Sequence, residues 1–247
     1  MINNIVILPE PVEFFLMKGS ANDDLITSAV FPGMEEEAYR IRAEEKGITI
    51  LAGSEKGLKR AEASLSQIRL QCYFGGQAAV PCFRLYDRPK QRERIYRTSG
   101  LKSTEVLRQK IRIAAFLKYN VFELVLPGAF SDMKALEETC SGFGMEFRYT
   151  GETSVEKREG ITAEEEINGW HSAPGCDRIT VLRRAAERAE ALWRRERDCD
   201  CWAFPGHDDR EFPEQDSPGF RERFERLLPF LEMILDPEDP GEGDLTT

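Results

Sequence analysis

The chain has 247 residues, of which 41% are hydrophobic and 32% are charged, and its net charge at pH 7 is −10. This balance is that of a globular protein and excludes wholesale disorder. No apolar run approaches the ~18 residues that a membrane span needs. The first residues lack the basic and apolar stretches of a secretory signal, so we expect a cytoplasmic protein with no membrane partner.

The charge is unevenly distributed along the chain. Residues 1–150 hold 21 Lys and Arg against 19 Asp and Glu, a net charge of +2, whereas residues 151–247 hold 13 against 25, a net charge of −12. We therefore predict an α/β domain over residues 1–150 and an acidic, mainly helical extension packed on it over residues 151–237. Residues 238–247 are predicted to be a disordered tail.

Strand-like and helix-like segments alternate through the first 150 residues. Strands are predicted over residues 5–8, 12–17, 25–31, 48–52, 69–74, 79–86, 121–126 and 145–149. Helices are predicted over residues 35–46, 55–68, 103–118 and 132–142. This spacing is typical of an α/β fold with a mixed, mainly parallel sheet and helices on both faces. The glycines at positions 75 and 76 predict one antiparallel hairpin in it.

Two of the helix predictions depend on clear local signals. Three consecutive glutamates at positions 35–37 favour the first turn of a helix, where the helix dipole attracts negative charge. Ser103 is suited to act as an N-cap, and the apolar residues that follow it recur at helical spacing.

The second region contains two more amphipathic segments, residues 178–197 and 220–235. Each has an apolar stripe on one side and charged residues on the other, which predicts two helices. Neither helix can bury its apolar side alone. We therefore expect a C-terminal helical extension in which the two helices pack on each other and on the first region.

Two strand-to-helix loops are suited to holding an anion. The first contains Gly53, Ser54 and Lys56, and the second contains Gly128, Ser131 and Asp132. In parallel sheets, ligands collect at the carboxyl ends of strands, where the unpaired N–H groups of the next helix attract negative charge. Neither loop has the spacing of a P-loop or of a complete dinucleotide fingerprint. Glycine and serine also serve ordinary turns and N-caps, which is the alternative interpretation.

Residues 84–112 form a basic segment, with ten Lys and Arg against three Asp and Glu, a net charge of +7. Arg92 and Arg94 lie near its centre, between Tyr86 and Tyr96. Arginine binds phosphate through two hydrogen bonds, and an aromatic ring can stack on a base. We interpret the segment as an arm that closes on a phosphate-bearing ligand. A solvated loop paired with the acidic region is the alternative, and contact with nucleic acid is not favoured.

Both histidines and three of the six cysteines fall within residues 171–207. Zinc is held by four such ligands in a tetrahedron. Cys199, Cys201 and His207 form the most compact candidate set, just beyond predicted helix 178–197. The remaining histidine and cysteine lie at the other end of that helix, about 30 Å away at 1.5 Å per residue. A loop without metal is the alternative, and zinc is the one cofactor that the sequence suggests.

The sequence thus predicts an α/β protein that binds a small phosphate-bearing ligand, with a nucleotide as the favoured candidate. It leaves open whether the protein is an enzyme, since no known catalytic motif occurs. One alternative is a non-catalytic module whose acidic C-terminal helices bind a protein partner or a second copy. A zinc-stabilised protein associated with nucleic acid is a weaker alternative. The ligand hypothesis requires the turns at Gly53 and Gly128 to open on the same edge of one sheet.

Overall fold

The computed structural model describes residues 5–77, 79–99, 103–126, 130–151, 178–194 and 219–235. These residues form eight strands in two sheets, and five helices. The strands are β1 (Glu13–Ser20), β2 (Ile26–Val30), β3 (Tyr39–Glu44), β4 (Gly47–Ala52), β5 (Pro81–Asp87), β6 (Ile95–Ser99), β7 (Val121–Leu126) and β8 (Glu146–Gly151). The helices are α1 (Glu55–Phe74), α2 (Thr104–Phe116), α3 (Met133–Gly142), α4 (Arg178–Arg194) and α5 (Phe220–Leu235). In this part of the chain, no helix has the length and apolar character needed to cross a membrane.

The first sheet has the strand order β1-β5-β3-β4-β2 and is mainly antiparallel, since only the β2–β4 pair is parallel. The prediction of a mainly parallel sheet is therefore wrong for this half of the fold. The cause lies at residues 39–44, where buried and exposed side chains alternate with the period of a strand. Residues 35–46 form a loop and β3 rather than a helix. Gly47, with a φ of +141°, then turns the chain back into β4.

Helix α1 packs on one face of the first sheet, where Leu65 and Ile68 meet Ile41 and Ile50. It continues to Phe74, so the strand predicted over residues 69–74 is wrong. Its buried residues recur at helical spacing up to Cys72, four positions after Ile68. The two glycines predicted to form a hairpin instead end this helix.

The predicted strand over residues 5–8 belongs to neither sheet. The side-chain amides of α1 hold it: Val6 N donates to Gln71 Oε1 (3.0 Å), and Gln71 Nε2 donates to Val6 O (2.7 Å). Gln67 makes the same pair of bonds with Leu8, at 2.8 and 2.6 Å. Gln67 Nε2 also donates to Phe116 O at the end of α2 (2.8 Å). Two glutamines thus replace a neighbouring strand for this buried segment.

The second sheet contains β6, β7 and β8, all parallel, with α2 between the first two strands and α3 between the last two. The prediction of parallel strands joined by helices is confirmed here. Apolar residues of α2, including Leu107 and Ile111, pack with Tyr96 and Phe122 of the sheet. This strand–helix repeat is the unit from which (β/α)8 barrels are built.

Helices α4 and α5 pack against each other, and α5 also packs on α2. Their buried residues, among them Ala186, Phe224 and Leu231, join the same apolar cluster as Phe122. The expectation that the two C-terminal helices bury their apolar sides against each other and against the first region is confirmed.

Asp87, at the end of β5, lies fully buried between the first sheet, the connection from α2 to β7, and α4. Its carboxylate accepts hydrogen bonds from Lys118 Nζ, Tyr39 Oη and Trp193 Nε1, each at 2.8 Å. The backbone N–H groups of Val12 (3.3 Å) and Arg88 (2.9 Å) complete its coordination. Burial lowers the pKa of Lys118, and the charge of Asp87 opposes that shift. One carboxylate therefore joins five separate segments of the chain.

Glu190 of α4 is buried near this junction and accepts hydrogen bonds from Arg223 Nη2 (2.9 Å) and from Glu10 N (2.8 Å). Burial raises the pKa of Glu190 to about 7, although Arg223 and Lys118 act in the opposite direction. Between pH 4.5 and about pH 7 the folded protein therefore keeps a proton that the unfolded chain releases. Stability supplied by this group is lost as the pH rises through that window.

We expect Glu190→Gln to remove this pH dependence, because an amide does not titrate. Its single carbonyl oxygen keeps one of the two hydrogen bonds, which go to different oxygens of Glu190. Relative to the wild type, the variant should gain about 2–3 kcal/mol in unfolding free energy between pH 5 and pH 8. Urea denaturation at a series of pH values measures this difference. Glu187→Gln, on the same helix but half-exposed in an ion pair with Arg183, is the control and should follow the wild-type profile. Parallel profiles for wild type and Glu190→Gln would contradict the assignment.

Candidate functional site

The loop at Gly53 is filled by the chain's own backbone. A side chain at Gly53 would meet the carbonyl group of Glu35, whose carbon lies 2.7 Å from the position of a Cβ atom. Ser54 caps α1, accepting from Gly57 N (3.3 Å) and donating to Glu36 O (2.6 Å). Lys56 Nζ pairs with Glu36 Oε1 at 3.1 Å. The glycine and serine therefore serve close packing and capping, as the alternative interpretation held.

The second loop lies on a different sheet. Ser131 and Asp132 follow β7 and precede α3, and Gly128 lies outside the described residues. Ser131 Oγ donates to Asp132 Oδ1 (3.2 Å), and the other oxygen of Asp132 accepts from Thr104 Oγ1. The two predicted loops thus follow strands of separate sheets. The geometric condition for a shared ligand site is not met.

The two arginines of the predicted arm have different surroundings. Arg94 is buried: its guanidinium lies 4.8 Å from the ring centroid of Trp193 and pairs with Glu37. Burial lowers the pKa of Arg94 to about 10, and Glu37 opposes that shift. Arg92 is exposed and lines a cleft of about 180 Å³ together with Pro89 and the glutamates at positions 35–37. Each of these three glutamates is paired with a lysine or an arginine.

Glu37 is the centre of the ion pairs in this region. It accepts from Arg60 Nε (3.1 Å) and Asn120 Nδ2 (2.8 Å) as well as from Arg94. Burial alone raises the pKa of Glu37, but the two arginines outweigh it and hold that pKa below its ordinary value. Arg88 pairs with Glu35 in the same way at the surface. These arginines are thus neutralised by the glutamates that precede β3.

Cys199, Cys201 and His207 lie outside the described residues, so their assignment to zinc stays a prediction. Within the described residues, no group of three or more His, Cys, Asp or Glu side chains is arranged to hold a metal ion. Cys72, Cys82 and Cys140 are buried, and burial raises the pKa of each thiol.

A polar row crosses the second sheet on the face opposite Tyr96 and Phe122. Arg97 Nε on β6 donates to Glu123 Oε2 on β7 (2.6 Å), and Thr150 Oγ1 on β8 donates to Glu123 Oε1 (2.9 Å). The Arg97 and Glu123 side chains are 22% and 11% exposed. The row therefore remains in contact with solvent, with a carboxylate held in a fixed orientation by a guanidinium and a hydroxyl group.

Sequence reasoning missed this row. The available signal was Glu123, the only charged residue in the apolar strand β7. A charge inside such a strand needs a partner or a function. Its partners come from β6 and β8, so they became apparent only once the strand pairing was known.

Of three comparisons with known proteins, only the comparison with solved structures found similar proteins. No family model matches the chain, and no curated protein matches it. A solved β-N-acetylhexosaminidase is similar at 20% identity and a TM-score of 0.50, covering 58% of this chain and 39% of that one. The β-N-acetylhexosaminidase of Bacteroides fragilis NCTC 9343 is similar at 15% identity and a TM-score of 0.53, covering 59% and 44%.

A third similar structure is the glycoside hydrolase family 20 β-N-acetylhexosaminidase of Streptomyces coelicolor A3(2), at 14% identity and a TM-score of 0.50, covering 58% of this chain and 45% of that one. This chain therefore spans about two-fifths of the length of these proteins. At such identities the likeness establishes the fold that they share.

The prediction of a protein that binds a nucleotide or another small phosphate-bearing anion is wrong. The similar structures named above are β-N-acetylhexosaminidases, and these names describe action on sugars. The two loops also lie on different sheets, and Arg94 is neutralised by Glu37. The same comparison lends no support to the two alternative functions, an acidic-helix interaction module and a zinc-stabilised protein associated with nucleic acid.

Proposed function

We propose that this chain forms part of a carbohydrate-processing protein that binds N-acetylhexosaminides. The polar row of Arg97, Glu123 and Thr150 is the site that we assign to the sugar. The observation that carries the proposal is the position of this row on the second sheet of a fold that resembles β-N-acetylhexosaminidases.

The strand–helix repeat supports this choice of face. In a (β/α)8 barrel the helices form the outer ring, and ligands approach from the carboxyl ends of the strands. The face of β6, β7 and β8 that packs against α2 corresponds to the outside of such a barrel. The polar row lies on the opposite face, which corresponds to the inside.

The chemistry of the row suits a sugar. A guanidinium donates several hydrogen bonds in a fixed plane, a carboxylate accepts from hydroxyl groups, and a threonine hydroxyl does both. The salt bridge between Arg97 and Glu123 holds both groups in place before a ligand arrives, which lowers the entropy lost on binding.

We assign sugar binding and orientation to the row, and not hydrolysis. Glycoside hydrolysis needs a carboxyl group that is available to protonate the leaving oxygen. The carboxyl group of the row, Glu123, is engaged by Arg97.

We expect N-acetylglucosamine to bind the full chain more tightly than glucose. Arg97→Ala should weaken that binding about tenfold or more, since it removes the hydrogen bond that the sugar would accept from the charged guanidinium. Isothermal titration with both sugars measures the affinities. A chromogenic N-acetyl-β-glucosaminide assays hydrolysis in parallel. Glu123→Gln keeps the shape of the row and should weaken binding in the same direction.

Arg42→Ala is the matched control. Arg42 lies on β3 of the first sheet, where its side chain is exposed and pairs with Glu44. Its removal should leave sugar affinity unchanged, and thermal melting should confirm that each variant is folded. Absence of binding to any N-acetylhexosamine would overturn the proposed function. An equal loss in the Arg97 and Arg42 variants would overturn the site.

A further inference from the structure

Strand β2 forms one edge of the first sheet as described, and all five of its residues are exposed. Leu25, Ile26, Val30 and Phe31, on or beside it, are 54%, 40%, 40% and 58% exposed. No charged residue occurs from Leu25 to Phe31. An apolar, uncharged edge strand is a template for the addition of another strand.

The opposite edge, β1, is built differently. It carries Glu13 and Lys18, and its pairing with β5 shifts register between Leu16 and Ser20. Charged residues and bulges are the usual means by which proteins prevent pairing at an edge. Among the described residues, one edge of this sheet is thus protected and the other is open.

The backbone of β2 has hydrogen-bonding groups available on its outer side. Leu25 O accepts from Ile48 N (2.8 Å), and Phe31 N donates to Ala52 O (2.7 Å), so odd-numbered residues direct these groups towards β4. Because the direction alternates along a strand, the N–H and C=O groups of Ile26, Ser28 and Val30 point away from the sheet.

Two copies of β2 are complementary to each other when they lie antiparallel. If Ser28 faces Ser28 of a second copy, Ile26 faces the partner's Val30 and Leu25 faces the partner's Phe31. The facing pairs at Ser28 and Ile26 are those whose backbone groups point outwards, so they can form hydrogen-bonded pairs. Asp23 and Asp24 fall opposite Gly33 and Pro32 of the second copy, so no charges of the same sign meet.

We propose that two copies of this chain associate through β2, antiparallel about a twofold axis at Ser28, to form one continuous sheet. A twofold interface requires a surface that complements itself, and the residue types around Ser28 satisfy that requirement. Ile26 and Val30 are in register with Ile48 and Ala52, which face α1, so the interface would extend the apolar layer beneath the sheet.

Sedimentation velocity on the full chain, over a range of concentrations, tests the proposal. The wild type should sediment with twice the mass of one chain, and Ser28→Pro with the mass of one. Proline removes the outward N–H at the centre of the interface, and an edge strand tolerates it because that N–H makes no bond to β4. A double variant, Ile26→Lys with Val30→Lys, places lysine opposite lysine and should also be monomeric.

Phe15→Lys is the matched control, since it adds a lysine to the other edge at a side chain that is 59% exposed. It should remain dimeric. Circular dichroism establishes that each variant is folded, and if Ser28→Pro unfolds, the double lysine variant decides. A wild type that is monomeric at every concentration would overturn the proposal, whether or not it binds other proteins. So would a folded β2 variant that stays dimeric, or dissociation caused by Phe15→Lys.

Discussion

Replacing Asp87 with alanine is expected to lower the free energy of unfolding by about 3–5 kcal/mol, the cost of removing one partner from a buried ion pair. The variant leaves the Lys118 ammonium group without its counter-charge at a site that is fully buried. It also removes the acceptor for Tyr39 Oη and Trp193 Nε1. Urea denaturation at pH 7 measures the change.

A double variant separates the loss of the charge pair from the loss of packing. With Lys118→Met added, no unpaired charge remains, so the combined loss should be smaller than the sum of the two single losses. Asp24→Ala, at an exposed aspartate, is the control and should change stability by less than about 0.5 kcal/mol. A loss below about 1 kcal/mol for Asp87→Ala would contradict the role of this carboxylate as the link between the first sheet, Lys118 and α4.

Gly53→Ala is expected to destabilise the protein by about 3 kcal/mol, at the upper end of the usual cost of overpacking. The new methyl group would meet the carbonyl of Glu35, which is backbone and cannot rotate away. Relief of the clash requires the loop before β3 to move, and that loop carries Glu37, the buried partner of Arg60 and Arg94. Thermal and urea unfolding measure the loss.

Gly142→Ala provides the comparison for this variant. Gly142 is the last residue of α3, and a Cβ atom there meets nothing within 4 Å. Alanine should be neutral or stabilise by about 0.4–1 kcal/mol, because it reduces the freedom of the unfolded chain at a compatible position. Equal effects at Gly53 and Gly142 would show that the close approach to Glu35 does not constrain the fold.

Local signals predicted two of the three strands of the second sheet, β7 and β8. Strand β6 was not predicted, because its residues fall in the segment that was interpreted as a basic arm. The strand predicted over residues 121–126 is β7, and Ser103 caps α2 as expected, accepting from Val106 N at 3.3 Å. These elements combine a strong apolar pattern with clear boundaries, so sequence and tertiary structure agree.

The first sheet was predicted less well because two signals conflicted. The glutamates at positions 35–37 favour a helix start, but Tyr39, Ile41 and Ala43 alternate with exposed arginines and are buried in a strand. The glutamates serve instead as partners for Arg60, Arg88 and Arg94, which are distant in sequence. No local pattern contains that information.

The candidate site could not be derived from the sequence for a similar reason. Arg97, Glu123 and Thr150 are each separated by more than 25 positions and meet only through the parallel pairing of three strands. Gly53 and Ser54 were predicted to bind an anion, but glycine and serine suit a tight turn equally well. Only the proximity of Glu35 and Glu36 distinguishes the two roles.

The two glutamines that hold residues 5–8 also make this segment a probe of local unfolding. The amide hydrogens of Val6 and Leu8 are bonded to side chains 65 and 59 positions away, on a helix rather than on a strand. Their exchange with deuterium therefore reports the separation of this segment from α1. Since Gln67 Nε2 also donates to Phe116 O, opening at Leu8 can be compared with the separation of α1 from the end of α2.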